Sequence, residues 1–216
     1  MVLSSPLAPK VLRGAIVSVD PFVPLASVVI FQYNPDSLSR TIKPKYMEDN
    51  ASKSEVTRLA GAPDEEIKLD LEIDAADQLA TANPVATSLG ISPQLAALEL
   101  LAYPNSAQLI ANLPLMAAGM VEIVPPSGPF ALFVYGPKRV LPVRLQELTV
   151  IEEMHDPLLN PIRAKVSVGM RVLSYNDLSI SHRGFYVYLA NQVFKEVLGK
   201  INTASGAAGA AADFST

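Results

Sequence analysis

The 216-residue chain has no cysteine, no tryptophan and only two histidines, His155 and His182. Without cysteine there is no disulfide, no thiolate metal site and no thiol nucleophile. A zinc site would need both histidines plus carboxylates, and none is expected. Also missing are a Gly-x-Ser-x-Gly elbow, a P-loop, a Gly-x-Gly-x-x-Gly turn and a His-Glu-x-x-His helix, so the sequence offers no catalytic residue, no cofactor-binding residue and no metal ligand set. Positive charge is scarce: 17 Lys and Arg stand against 21 Asp and Glu, a net charge of −4 with an isoelectric point near 5.2. That balance argues against nucleic acid as the main partner, because phosphate neutralisation needs clustered cations. The first ten residues carry no basic n-region and no continuous apolar stretch, so no secretory signal is read there and assembly in the cytoplasm is expected.

What is abundant is apolar surface. Half of the residues are hydrophobic and the mean hydropathy is +0.27, enough for a sizeable core in one large domain. The best membrane candidate, the uncharged stretch from Leu100 to Val121, is broken by Pro104, Asn105, Gln108, Asn112 and Pro114. Those residues would be costly in lipid, so direct membrane insertion is not expected. Excess hydropathy in a chain of this kind points to interfaces between subunits.

The 18 prolines are scattered, a sign of many short elements joined by turns. Val11–Val19 and Ser27–Tyr33 are β-rich and separated by the turn-forming cluster Asp20 to Pro24. Ser37–Ile42 has weak periodicity, and the polar stretch from Lys45 to Asp64 reads as a long surface loop. Ile67 to Asp74 alternates strictly, the pattern of a half-buried strand. A short helix is expected over Ala75–Ala82, then a longer one with Ser92 as N-cap, Pro93 at its first position and Leu95, Leu98, Leu101 and Ala102 at helical spacing. Ala107–Leu113 reads as another turn or two. Phe130–Tyr135, Val140–Glu152 and Ile162–Leu173 read as strands, Ile180–Ile201 as a helix and Ser205–Thr216 as an Ala/Gly-rich flexible tail. Strands, a helical insertion, strands again and a closing helix define a β-dominated α+β class with a barrel or sandwich core.

Two charged rows stand out. Asp70, Glu72 and Asp74 share the polar face of the alternating strand, next to Asp64-Glu65-Glu66. Strict alternation explains each position as a solvated or partner-facing surface before metal binding or carboxylate catalysis is needed. Arg163, Lys165 and Arg171 share one parity of a later strand, with Ala164, Val166, Val168, Met170 and Val172 on the other, and Lys138, Arg139 and Arg144 lie nearby in sequence. This basic stripe suits pairing with an acidic row of the same sheet or of a neighbouring subunit. The six residues Asp70, Glu72, Asp74, Arg163, Lys165 and Arg171 are therefore the candidate subunit-interface set. His155, beside Glu152, Glu153 and Asp156, reads as a solvated charged-loop residue, as does His182 beside Arg183. The closing helix has Phe185, Leu189, Val193, Val197 and Ile201 in near-fourfold steps, joined by Tyr186, Phe194 and Leu198; docking on its own sheet is the first expectation, a neighbouring chain the second.

Two blocks carry a resemblance. One is Val29-Ile-Phe-Gln-Tyr-Asn-Pro-Asp-Ser-Leu-Ser-Arg40. The other runs from Phe133-Val-Tyr-Gly-Pro-Lys-Arg-Val-Leu-Pro-Val-Arg144 through Asp156-Pro-Leu-Leu-Asn-Pro-Ile-Arg-Ala-Lys-Val166 to Leu173-Ser-Tyr-Asn-Asp177. Together, over roughly Val28 to Leu178, they resemble the tube domain of contractile injection system proteins, the phage-tail-like machines of bacteria and archaea. The resemblance implies a tail-tube-like domain over residues 1–178, with the helical insertion at about 75–120, the C-terminal helix at 179–204 and the tail at 205–216. It also implies a structural, non-enzymatic subunit in a homo-oligomeric, hexameric ring where the inner tube meets the baseplate. Tube, spike or hub, and other baseplate proteins are the implied partners, within a particle that is released or membrane-associated. Better-known members append a LysM-type module; after Asp177 this sequence has only a helix and an Ala/Gly tail, which suggests a simpler tube-initiator or hub-adaptor part. From the residues alone, a β-barrel module binding a small apolar ligand is the alternative, and a carboxylate hydrolase or metal enzyme comes last.

Overall fold

Alternation places two of the three longest strands. In the computed structural model, which describes residues 12–19, 27–47, 57–104, 106–117, 119 and 128–213, the Ile67–Asp74 pattern belongs to a strand that starts three residues earlier. The strands are β1 (Ala15–Val19), β2 (Ser27–Ile30), β3 (Leu38–Lys43), β4 (Asp64–Asp74), β5 (Phe130–Val134), β6 (Val140–His155) and β7 (Pro161–Val172). They form one antiparallel sheet in the order β2-β1-β5-β6-β7-β4-β3. The helices are α1 (Ala76–Ala80), α2 (Pro84–Leu89), α3 (Ser92–Glu99), α4 (Ser106–Ala117) and α5 (Arg183–Asp213). The class is mixed α+β with a helical insertion between β4 and β5 and a C-terminal helix, as expected. The turn at 20–26, the loop residues 48–56, the break at 121–127 and residues 1–11 and 214–216 lie outside the described residues.

One face of the sheet carries the core. Ile67, Leu69, Leu71 and Ile73 of β4 lie beside Val166, Val168 and Met170 of β7, and Phe31, Phe133, Leu141 and Val143 extend the same layer; all are buried. Full burial of a side chain of this size stabilises by roughly 1.5–3 kcal/mol. The long loop is closed at its base, where Met47 N donates to Arg58 O at 3.0 Å and Ala60 N to Lys45 O at 2.8 Å.

The helical insertion is pinned by backbone geometry. Asn83 accepts from Val85 N at 3.0 Å and Ala86 N at 3.3 Å, capping α2 with Pro84 in its first turn. Gly90 follows at φ +57°, and a Cβ there would lie 2.0 Å from the carbonyl oxygen of Pro161. That close approach lets Ile91 N donate to Pro161 O at 2.8 Å and delivers Ile91, Leu95 and Leu98 into the core. Ser92 is not the cap of α3: it is the first helical residue, and the cap position is Ile91, which has no side-chain acceptor. In α4, Pro114 sits inside the helix rather than ending it.

Two features of α5 depart from expectation. It continues past Ile201 through the Ala-rich stretch to Asp213, in line with alanine's helix propensity. Its docked face is also a different one. Tyr188 and Asn191 are buried and Val187 and Phe194 half-buried, whereas Tyr186, Leu189, Val193, Val197, Leu198 and Ile201 are exposed. The cause is Gly184: a Cβ there would lie 2.7 Å from Phe130 Cζ, so the helix presses its glycine against β5 and turns the near-fourfold stripe away from the sheet.

Candidate subunit interface

The antiparallel register of β4 and β7 places Asp74 opposite Arg163, Glu72 opposite Lys165, Asp70 opposite Ser167 and Glu66 opposite Arg171. The acidic row and the basic stripe therefore meet within one chain, on the sheet face away from the core. Arg163 forks onto Asp74 through Nε, at 2.7 Å, and Nη2, and it lies 3.8 Å from Glu72. Lys165 reaches Glu153 of β6 at 2.7 Å, Ser167 donates to Asp70 at 2.6 Å, and Arg171 bridges Asp64 at 3.0 Å and Asp177 at 3.2 Å. A neighbouring subunit is not needed to satisfy these charges.

Asp74 is the most enclosed member, 8% exposed. Burial pushes its carboxyl up, but the bond from Ala76 N, at 2.6 Å, and the Arg163 guanidinium outweigh burial and hold it below the usual carboxylate range. Asp177 behaves alike, with burial outweighed by the backbone and hydroxyl of Ser174 and by Arg171. Gln32, just after β2, donates to Asp74 O at 2.7 Å and accepts from Asp74 N at 2.9 Å, so an amide side chain links the ends of β2 and β4 as a strand backbone would.

Glu65 was within reach of the sequence but not singled out. Extending the alternation of Ile67 back by two residues puts it on the apolar face, where it is 3% exposed. Lys195 of α5 donates to its Oε2 at 3.1 Å, and Arg40 of β3 lies 3.4 Å from its Oε1. One buried carboxylate thus ties β3, β4 and α5 together, and burial together with Glu65 raises the Tyr188 hydroxyl pKa. His155 pairs with Glu152 at 2.9 Å on the surface. His182 is more than a solvated residue: Nδ1 accepts from Gly184 N at 3.1 Å at the start of α5, and its ring stands edge-on to Phe130 at 4.6 Å.

Two other surfaces are unsatisfied among the described residues. The first is a pair of open sheet edges, since β2 pairs only with β1 and β3 only with β4. Phe31 N donates to Gly14 O at 2.8 Å, so by alternation the N–H and C=O of Ile30 point outward. Val28 and Ile30 on β2 and Ile42 on β3 are exposed there. The second is apolar side chains in water: the α5 stripe, Leu100 and Tyr103 after α3, and Ile110 and Leu113 on α4. Among the described residues no group of three or more His, Asp or Glu is placed to hold a metal ion, and no helix is long and apolar enough to cross a membrane. Compared with profiles of known protein families and with curated protein sequences, the chain matches none.

Proposed function

We propose that the chain is a non-enzymatic structural subunit of a contractile injection system, forming with further copies of itself a ring at the junction of the inner tube and the baseplate or spike. The observation that carries this reading is, among the described residues, the unpaired outer edge of β2 over Ser27–Ile30 and of β3 over Leu38–Lys43, apart from the one point where Gln32 bridges to Asp74. The uncharged β2 strand, Ser-Val-Val-Ile, lacks the lysine, proline or bulge that guards a free edge. Two different edges on one molecule invite a head-to-tail contact, β2 of one copy beside β3 of the next, and such contacts close into a ring when the rotation closes. The likeness of Val29–Arg40 and Phe133–Asp177 to tube domains supplies the machine, the six-fold count and the tube, hub and baseplate partners. The charge ladder of Asp70, Glu72, Asp74, Arg163, Lys165 and Arg171, paired within the chain, lies on the outer face of the same sheet, and its contribution to a subunit contact is limited to the water-facing heads of Glu72 and Lys165, 48% and 61% exposed. Assembly takes place in the cytoplasm. The alternative, a barrel holding a small apolar ligand, draws less support because Phe31, Phe133, Leu141 and Met170 fill the interior themselves.

Size-exclusion chromatography with light scattering tests the reading on the purified chain. A ring several times the 23.1 kDa monomer mass is expected, and Ile30→Pro, which removes an outward N–H, or the milder Ile30→Lys should reduce it to monomer. A chain that stays monomeric and never copurifies with tube, sheath and spike components contradicts the proposal.

A further inference from the structure

The turn between β6 and β7 holds two leucines in water. Leu158 and Leu159 are 78% and 80% exposed, the highest values for large apolar side chains among the described residues. Leu159 also has φ +66°, a left-handed conformation natural to glycine or asparagine and strained for leucine. The turn is nonetheless firmly built. Asp156 Oδ1 accepts from Leu158 N at 2.7 Å and Asn160 N at 2.8 Å, and Oδ2 accepts from Asn160 Nδ2 at 2.8 Å. Asp156 and Asn160 close the loop with a backbone bond of 2.9 Å. A turn that only reversed the chain would carry glycine or asparagine at 159; a strained residue held in place by its surroundings marks a position where the side chain is used.

Charge says what the pair meets. Near the turn Glu153 is paired with Lys165, while Asp156 and Glu152, the latter paired among the described residues only with His155, leave the end of the hairpin acidic, which disfavours an anionic lipid surface. The α5 stripe offers the complement: Tyr186, Leu189, Val193 and Val197 lie on one exposed face, with Arg183 three residues before it and Lys200 three after, against one glutamate, Glu196. The two surfaces cannot meet within a copy. The α5 helix lines a cavity together with Pro137, Lys138 and Val140 at the start of β6, whereas the turn follows the far end of that 16-residue strand, at most about 50 Å away at ~3.3 Å per residue and less where its bulges bend it.

We propose that the Leu158-Leu159 turn of one copy docks onto the exposed α5 stripe of a second copy, a head-to-tail contact with charge complementarity at its rim. It uses neither sheet edge and so stands independently of the ring reading. Because the chain has no native cysteine, thiol trapping reads it directly. Leu158→Cys and Val193→Cys chains are mixed and oxidised, with Ser88→Cys as an exposed control partner for the tip. The 158–193 link should exceed the 158–158, 193–193 and 158–88 links at least tenfold; a dominant 193–193 link, or no preference, overturns the proposal. Leu159→Gly relieves the strained φ, so this variant should keep or raise the wild-type Tm while losing at least tenfold in 158–193 trapping; unchanged trapping also overturns it. Sedimentation of the wild-type chain with phosphatidylcholine–phosphatidylglycerol vesicles, abolished by Leu158→Ser, would assign the tip to lipid instead. A chain that forms no ring but gives the 158–193 link removes only the ring reading, and a ring without that link removes only this one.

Discussion

The outer face of β4 and β7 and the outer face of α5 are both amphipathic patterns in sequence, yet one is satisfied at home and the other is not. On the sheet, each carboxylate in the row has a cation or a hydroxyl from an adjacent strand within reach: Asp74 has Arg163, Asp70 has Ser167, and Glu72 has Arg163 at 3.8 Å. On the helix, the stripe from Tyr186 to Ile201 faces water. A charged face that closes within a chain adds solubility and register but little net energy, since exposed ion pairs contribute about 0–1 kcal/mol each. An apolar face left open is a reserve of binding energy. The difference separates the parts that hold the monomer together from those available for assembly.

That separation can be broken experimentally. The largest effect is expected in the core that both regions share: Phe133→Ala should cost about 3–5 kcal/mol in denaturant unfolding, because Phe133 is fully buried between Phe31 and Tyr135. Next comes the enclosed end of the charge ladder. Asp74→Ala leaves Arg163 and the Ala76 N–H without their acceptor and should cost about 1–3 kcal/mol by the same measurement. Acid should reveal the same group. Asp74 and Asp177 lie below the ordinary value of 3.8 when folded, so they stabilise the fold above the unfolded value, and that contribution is lost as pH falls through the folded one. Between about pH 7 and 5 these two groups add no pH dependence; below about pH 4 thermal stability should fall, and less steeply in Asp74→Asn. The smallest effect on the monomer is expected on the helix. Leu189→Ser with Val193→Ser should change unfolding free energy by no more than about 0.5 kcal/mol per site while lowering association, the reverse of the Asp74→Ala result.

The sheet was legible in the sequence because a period of two leaves one solution. Ile67 to Asp74 and Ile162 to Leu173 give their buried faces directly, whereas opposite charge on the polar faces left pairing within the sheet or across a subunit contact open, and the register places it within the sheet. β3 was faint because Ser39, Arg40, Thr41 and Ile42 are exposed, so hydrogen bonding to β4 rather than burial makes it a strand. The α2 helix was missed although Asn83-Pro84 is a capping signal. The orientation of α5 was not legible, because the helix carries apolar residues on two sides. Tyr188 and Phe194 compete with Leu189 and Val193 for the sheet, and the contest is decided by a packing fact outside the helix, the Phe130 ring against Gly184. Glu65 was readable by parity alone, but its cations, Arg40 and Lys195, come from elements distant in sequence.

Sedimentation velocity of the intact chain across the micromolar range, beside Ile30→Lys and Leu158→Ser, tests most directly the claim that the exposed apolar surfaces serve contacts between copies. A discrete multi-subunit species is expected for the wild type, reduced by each substitution with the monomer fold intact. A wild-type chain that sediments as a 23.1 kDa monomer at every concentration would contradict it.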